Sequence, residues 1–571
     1  MIKNLFSWIV VSLLMTQFLQ AQDIGTLKDQ KPFTFNGNIG GGANGYTSNE
    51  EFPTRDPFSW NLYGNFTPSV YGISLPFSFA ISQFSESYTT AFTQFGISPS
   101  YKWIKLHLGY RNISFSPLVF DGQSFMGTGI ELTPKNLYFG AFYGRLNKAI
   151  SEENNSERPI EPQYKRIGYG VKAGIGGDHT NFSLQYFHAK DDENSIERAN
   201  DSLTTVLPQE NSVMGTSWKF TLTKELSLTG DAAVSVLSRD LSYNTVDSIG
   251  NKQVPSFLKK LIPINSSSVI SWSGQVQLAL MLNNFNAILG YRRVEPDFKS
   301  LGVPYALDDI EMISANINTS FNKGKINLNA AFNSQHNNLQ NMLSSRLVTR
   351  TGNLSLNTFV NQHLNINMNM TGVRILQKDG LLELNDLQRL DQTMITAVLA
   401  PSLNFSDLVH QHTISGSFTY TNLNDQNPTT KDQTNGNNVS ASLNYGLYFT
   451  QKYFDVNSTV LYSVYEQQNS QYKSLGFNVG GNVQLLKART LNLQGSVGYF
   501  LNKASDSATG NNYTFSFNGS YLLFNSHSIG IFASYMITPP VNLNPLNDIN
   551  HVPYAVNSKM LSGGITYAYN F

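Results

Sequence analysis

Two histidines stand close enough in the sequence to suggest a metal site. His410 and His412 are two residues apart, so both would lie on the same face of a strand. Imidazole nitrogens bind zinc well, but this pair would need a third ligand. The pair also stands beside a turn at the foot of a strand, where polar residues at a membrane interface are the simpler interpretation. We therefore predict no metal-binding residues.

Other chemistry has weaker support. The polar stretches 191–193 and 424–427 could offer oxygen ligands to calcium, but neither follows the EF-hand spacing. A hydrolase would need a nucleophile, a base and an orienting residue that converge, and the nine scattered histidines define no such set. No phosphate loop, nucleotide fingerprint or zinc-protease motif occurs. We expect no catalytic residues, no cofactor and no enzyme activity.

Several charged residues have the strand parity of small polar residues. Arg166 and Lys172, for instance, alternate with outward apolar positions and share their face with Gly168 and Gly170. Two interpretations remain open, namely a charged strip that orients solutes in a pore, and wall charge paired across strands. The candidate pore-lining residues are Lys105, Arg111, Glu131, Arg166, Lys172, Asp231 and Arg292.

These residues belong to segments that alternate with a period of two. Ile326 and Leu328 alternate with Asn327 and Asn329, and the same pattern recurs almost everywhere after Pro32. A β-sandwich or β-helix would also alternate, but here the polar face is seldom charged and no repeat of fixed length recurs. The pattern predicts an all-β protein, a transmembrane antiparallel β-barrel.

The connections alternate in length as well. Short turns near residues 282–284, 322–325, 360–363, 450–452, 487–489 and 525–527 are separated by longer loops near 147–163, 190–211, 239–266, 295–308, 376–390, 423–436 and 537–556. Short turns on one rim and long loops on the other are typical of outer-membrane barrels. Thirteen such hairpins give about 26 strands, and weak patterning near residues 85–105 sets the range at 22–26.

The final strand carries the clearest family resemblance. Leu561, Ile565, Tyr567, Tyr569 and Phe571 share one face, opposite small polar residues. This ending resembles the carboxy-terminal strand of bacterial outer-membrane β-barrels, which implies recognition by the barrel-assembly machinery. The stretches 110–117, 143–145 and 208–211 resemble segments of uncharacterised outer-membrane barrels. The chain is therefore identified as a member of an uncharacterised group of large, porin-like barrels.

The amino-terminal segment has the features of an export signal. Lys3 precedes an apolar run over residues 5–19, and Ala21 ends a plausible cleavage site. We predict a signal peptide over residues 1–21, a short periplasmic tail over 22–32 and a barrel over 33–571. Because 39 basic residues balance 39 acidic ones, no positive field favours nucleic acid. No cysteine is present, which excludes disulfides.

The size of the barrel guides the functional prediction. Sixteen to 18 strands already enclose a water-filled channel, so side chains alone cannot fill about 26. We predict a porin-like channel, or the barrel component of a transport or export assembly, in the outer membrane of a Gram-negative cell. It would contact outer-membrane lipid, and its own loops or a plug or periplasmic partner protein would occlude the lumen. The alternative is a non-conducting scaffold or adhesin that binds ligands through its long outer loops.

Two loops contain apolar residues at helical spacing, over residues 257–262 and 381–390. An apolar loop helix exposed to water would be a sticky surface, so it must pack against something. In the long loop that ends near residue 265, we predict a segment that narrows the pore or docks a partner, through Phe257, Leu258, Leu261 and Ile262.

Overall fold

The protein is a closed antiparallel barrel of 26 strands, which confirms the all-β prediction. The structure is a computed structural model that describes residues 31–49, 55–71, 73–83, 95–151, 162–177, 179–196, 206–246, 248–249, 252–253, 263–304, 307–385, 387, 389–468, 470–486, 488–505, 510–538 and 558–571. The predicted signal peptide lies outside these residues.

The strands have the following bounds in chain order: β1 Phe33–Ser48, β2 Phe58–Val70, β3 in two pieces Ile73–Ser74 and Phe77–Ser82, β4 in two pieces Gly96–Ile97 and Ser100–Tyr101, β5 Ile104–Asn112, β6 Ser124–Leu132, β7 Leu137–Asn147, β8 Arg166–Gly176, β9 Asn181–Asp191, β10 Glu210–Thr221, β11 Leu226–Ser238, β12 Ser268–Met281, β13 Phe285–Val294, β14 Ile310–Phe321, β15 Ile326–His336, β16 Ser345–Phe359, β17 Leu364–Asp379, β18 Asp391–Ser406, β19 His410–Asp425, β20 Gly436–Phe449, β21 Phe454–Gln467, β22 Ser470–Leu485, β23 Leu491–Ala504, β24 Gly510–Leu523, β25 His527–Thr538 and β26 Ser558–Asn570.

Two strands are interrupted, β4 within the weakly patterned stretch 85–105 and β3 just before it. Pro76 divides β3 and Pro99 divides β4. Proline cannot donate a hydrogen bond to the ladder, so each strand is broken where it occurs. Both proline carbonyls still accept, from the Ser98 and Leu106 amides at 2.8 Å each, and this keeps the sheet continuous.

The barrel closes by pairing its first and last strands. In the β1–β26 ladder, Ile39 lies opposite Tyr569. At the end of this seam, the Phe571 ring stacks on Phe35, with centroids 4.5 Å apart, and lies 5.7 Å from Phe66. The aromatic end of the chain therefore ties together β1, β2 and β26 at one rim.

The predicted strand parity holds in the sheet. On β15, Leu328 lies on the outward face, whereas Asn329 lies opposite Asn318 and Ser355 on the inward face. Large apolar side chains such as Phe418 and Leu443 are exposed on the outside, at 48% and 56%. The outer surface is thus a broad apolar belt, while small polar residues alternate with it on the inside.

Turn length separates the two rims. One rim carries the tight turns and the first and last residues of the barrel, and the other carries the longer loops. A few connections on the second rim are also short, such as the one between Gln467 and Ser470. One longer loop holds a small hairpin, Ser248–Ile249 with Lys252–Gln253, and another holds a single helical turn, Lys431–Thr434.

The helix expected near residues 381–390 is wrong for the residues that the structure describes there. The Leu381 amide donates to Leu343 O at 2.9 Å, and the Leu382 amide donates to Ser344 O at 3.4 Å. These bonds to a neighbouring loop replace the bonds of a helical turn. Among the described residues, no helix is long and apolar enough to cross a membrane.

Candidate functional site: the barrel interior

The interior contains an apolar cluster on one side. Strands β6, β7, β9, β10, β11 and β13 contribute inward side chains that a purely polar wall would lack, such as Phe125 and Phe187, each fully buried. The cluster comprises Ile113, Phe115, Leu118, Val119, Phe120, Phe125, Phe142, Leu146, Phe187, Ala189, Val213, Ala233, Leu237, Val294, Phe298 and Leu301. None of the described strands after β13 contributes to it.

The centre of this cluster is the loop between β5 and β6, residues 113–123, which we call inner loop A. It folds back into the barrel as a compact turn, in which the Phe115 amide donates to Phe120 O at 2.9 Å. The Phe120 ring packs on Phe142 and Phe187, with centroids 4.3 and 5.2 Å away. Burial of these rings supplies the main drive for the loop to fold inward.

A second loop, residues 295–304 between β13 and β14, covers the first; we call it inner loop B. The Asp121 amide donates to Gly302 O at 3.0 Å, and Ser300 Oγ donates to Val119 O at 2.6 Å. Asn211 fixes inner loop B to the wall, because its side chain accepts from the Leu301 amide at 3.0 Å. Together, inner loops A and B form an internal plug.

Glycines make room for this plug. A Cβ on Gly302 would lie 2.5 Å from a ring carbon of Phe120, and a Cβ on Gly215 would lie 2.4 Å from a methyl carbon of Val119. Real Cβ atoms do not approach neighbours so closely, so a larger residue at either position would displace inner loop A.

Two of the seven candidate charges hold inner loop A. Lys172 Nζ donates to Phe115 O at 2.6 Å. On the neighbouring residue, Ser116 Oγ donates to Asp231 Oδ1 at 3.0 Å. Asp231 also accepts from Ser217 and Gln275, at 2.6 and 2.9 Å, which fixes its carboxylate in place. These two wall residues therefore bind the plug on its polar side.

Other candidate charges pair within the wall. Glu131 receives hydrogen bonds from Lys105 and Tyr138, at 3.2 and 3.1 Å, and lies 2.8 Å from His107 Nε2. Arg166 forms a fork-like pair with Asp191, with both N–O distances below 3 Å.

The last two candidates are less constrained. Arg111 donates to Ser78 Oγ at 2.8 Å. Arg292 shares the inward face with Gln275 and Met312 and has no ion pair among the described residues.

In inner loop B, burial lowers the pKa of Lys299, and the nearby charges of Arg166 and Arg239 lower it further.

The wall that adjoins the plug, from β14 to β17, is polar and nearly uncharged. Inward positions of β14 to β17 carry asparagines linked side chain to side chain. Asn329 donates to Asn318 at 2.5 Å, and Asn357 donates to Asn367 at 2.5 Å. Asn318 and Asn367 are exposed to the interior space. We call this surface the amide wall; it faces the lumen beside the plug.

Strand parity did not predict the plug, although the sequence contains a feature that indicates it, namely large apolar residues at inward positions. Phe125, Phe142 and Phe187 occupy inward positions, which breaks the polar-inside rule. An apolar run in a loop, residues 118–120, provides the matching partner. The predicted gate residues Phe257, Leu258, Leu261 and Ile262 lie outside the described residues, so that prediction stays a prediction.

Near the tight-turn rim, the outward face brings a third group to the histidine pair. Ligand atoms of Asp407, His410 and His412 lie within 4.8 Å of one another. Hydrogen bonds from the Val409 and His410 amides lower the pKa of Asp407 to about 2. His412 Nδ1, however, is 2.9 Å from the Tyr445 hydroxyl, and its ring stacks on an aromatic neighbour. This arrangement suits an interfacial aromatic belt.

No protein-family model matches the chain, and no curated protein matches it. Among solved structures, the translocation pore of the P pilus usher PapC is similar over 94% of this chain and 99% of that chain, with 10% identity and a TM-score of 0.35. OccK8 (OprE) of Pseudomonas aeruginosa is similar over 71% and 98%, with 9% identity and a TM-score of 0.31. TM-scores this low say nothing about the role of this chain.

Proposed function

We propose that the protein is an outer-membrane channel or the barrel component of a transport assembly, without enzymatic activity, whose lumen is partly occluded by its own loops. The observation that carries this proposal is the internal plug of inner loops A and B, which lies beside an amide wall exposed to the interior. Such an arrangement narrows a wide pore without filling it.

The outer surface supports membrane insertion. Outward side chains such as Phe418, Leu443 and Val497 are large, apolar and exposed, and they continue around a closed sheet with no free edge. A closed barrel satisfies every backbone hydrogen bond between strands, which the hydrocarbon core of a bilayer requires. With the loop rim outside the cell, the tight turns and both ends of the barrel face the periplasm.

The interior supports passage of polar, uncharged solutes along one side. The amide wall offers donors and acceptors that can replace the water around a solute, and it presents little fixed charge that would select ions. The charged residues on the plug side are largely paired or bound to the plug. We therefore expect weak selectivity between anions and cations.

Conductance in a planar bilayer tests the proposal. The full chain should form channels, and replacing residues 114–121 with a Gly-Ser linker of equal length should increase the single-channel conductance. The matched control is a Gly-Ser replacement in residues 428–433, a loop with no described contact with inner loops A and B; conductance should then stay unchanged. An absence of channels from both the native chain and the plug variant would favour the scaffold or adhesin.

A partner protein is the remaining way to occlude the lumen. Gentle purification from membranes, followed by conductance measurements with and without any co-purifying chain, tests this part. A stoichiometric companion that lowers conductance would make the barrel one part of a transport assembly. Full conductance of the isolated chain would show that it forms a channel without a partner.

A further inference from the structure

Two pairs of like charges face each other on the outer surface near the loop rim. In the β16–β17 ladder, Arg350 lies directly opposite Arg374, and Arg346 lies directly opposite Lys378. All four share the outward parity of Leu354, which belongs to the apolar belt. We call these four residues the cationic rim patch.

The patch has one acidic partner among the described residues. Arg374 forms an ion pair with Asp391 at 3.2 Å. Arg346 only reaches a backbone carbonyl, that of Asn338 at 3.4 Å, and its Nε is buried without a partner. Arg350 makes no hydrogen bond or ion pair in the described part of the chain. The patch therefore carries an excess of positive charge.

The neighbouring strands supply no further counter-charge. On one side, β15 presents Ser334 opposite Arg350, and its next outward residue is His336. Beyond β15, Glu311 is already bound by Arg293 at 2.8 Å. The Asp309 carboxylate in the adjoining loop already accepts from two backbone amides at 2.8 Å each. On the other side, β18 presents Thr393 beside Asp391. Lys378 likewise has no hydrogen bond or ion pair within the described residues.

Such an arrangement is unfavourable unless an anion joins it. Residues directly opposite in an antiparallel pair have Cβ atoms about 4.5–5.5 Å apart, and like charges there destabilise the sheet. The repulsion grows near a membrane, where the effective dielectric constant falls below that of water. One anionic group between two guanidinium groups would turn both repulsions into attractions, because a guanidinium binds phosphate with two parallel hydrogen bonds.

We propose that the cationic rim patch binds the phosphate groups of outer-leaflet membrane lipids. The orientation in this proposal rests on the proposed function, which places the loop rim at the cell exterior. Arg350 is four residues from Leu354 along β16, so the patch stands about 13 Å along the strand from the apolar belt. That is the level at which lipid headgroups meet the outer end of a barrel. Bound lipid would hold strands β16 and β17 together and anchor this side of the barrel in the leaflet.

The first test measures lipid binding by the full-length barrel in detergent, with diphosphoryl lipid A as the probe. R350Q/R374Q removes one facing pair of guanidinium groups and should weaken binding at least tenfold, which corresponds to about 1.4 kcal/mol. K323Q/K325Q removes the same charge at the tight-turn rim and should leave binding unchanged. R350K/R374K keeps the charge but loses the bidentate geometry and should give an intermediate affinity. Equal binding by native and R350Q/R374Q barrels would overturn the proposal.

The second test measures the melting temperature of each barrel without and with lipid A. The substitution should change that temperature in opposite directions in these two conditions. Without lipid A, R350Q should melt at a higher temperature than the native barrel, because it removes the repulsion between Arg350 and Arg374 and keeps the Arg374–Asp391 ion pair. With lipid A, the native barrel should gain melting temperature and the variant should not. A rise of the same size for both proteins would contradict specific binding.

Two further controls distinguish loss of the lipid site from binding of a free anion and from misfolding of a variant. Inorganic phosphate at millimolar concentration should not displace lipid A; if it does, the site takes a small free anion and the lipid proposal is wrong. Heat-modifiable migration on a gel verifies that each variant is folded. Because the readouts are lipid affinity and melting temperature, loss of the lipid site and absence of channel activity are distinguishable results.

Discussion

At the scale of single residues, the plug depends on polar contacts that join distant parts of the sequence. Lys172 and Phe115 are 57 residues apart, and Ser116 and Asp231 are 115 apart. Strand parity alone predicts an inward face for Lys172 and Asp231. Strand parity could not predict their contacts with inner loop A. Those contacts depend on how the loop folds back into the barrel, which no local sequence pattern indicates.

The contact made by Lys172 gives a direct prediction. Lys172→Met keeps the length of the side chain but leaves the buried Phe115 carbonyl without its donor, which should destabilise the plug by about 1–3 kcal/mol. We expect larger current fluctuations and a higher mean conductance in a planar bilayer. Arg292→Met is the matched control, because Arg292 is also inward but has no described contact with the plug. Equal behaviour of the two variants would show that Lys172 does not hold the loop.

At the scale of strands, the sequence predicted most of the fold correctly. Period-two alternation determined the parity of β15, β17 and β19, because each residue in a strand must face either the lumen or the outside. The predictions were weaker where other forces act. Prolines interrupt β3 and β4, and the apolar residues near 381–390 bind a neighbouring loop instead of forming a helix.

Adjacent residues on β19 test strand parity. Phe418 faces outward and Ser417 faces the lumen. Phe418→Arg places a charge in the apolar belt and should lower the free energy of unfolding by about 2–4 kcal/mol if the site lies near the middle of the membrane. Ser417→Arg should be tolerated, since water can hydrate it inside the barrel. Urea titration of the refolded barrel in lipid vesicles measures both; equal losses would contradict the assigned faces.

At the scale of the whole molecule, closure depends on the seam between β1 and β26. The Phe571 ring joins the two ends through its stacking on Phe35 and its contact with Phe66. Phe571→Ala should weaken the seam, with each aromatic pair contributing about 0.5–1.5 kcal/mol beyond its buried area. We expect slower folding into vesicles and a lower melting temperature.

The control for the seam is Phe517→Ala. Phe517 is another outward phenylalanine, 40% exposed, and it lies on β24, away from the seam. Its loss should have a smaller effect than the loss of Phe571, as measured by the fraction of heat-modifiable barrel on a gel. If the two variants lose stability equally, the seam has no special dependence on the aromatic contact.

The one-sided plug also has a mechanical consequence. Strands β6 to β13 are supported from inside by a packed apolar core. Strands β14 to β26 depend mainly on the hydrogen bonds between them and face a hydrated lumen. Under the lateral pressure of a bilayer, the braced arc of β6 to β13 should keep its curvature, and the hollow arc of β14 to β26 should bend. Amide hydrogen exchange should therefore be faster along the hollow arc. The protein would behave as a stiff arc of wall joined to a more flexible one, so the width of its channel would follow the tension of the membrane around it.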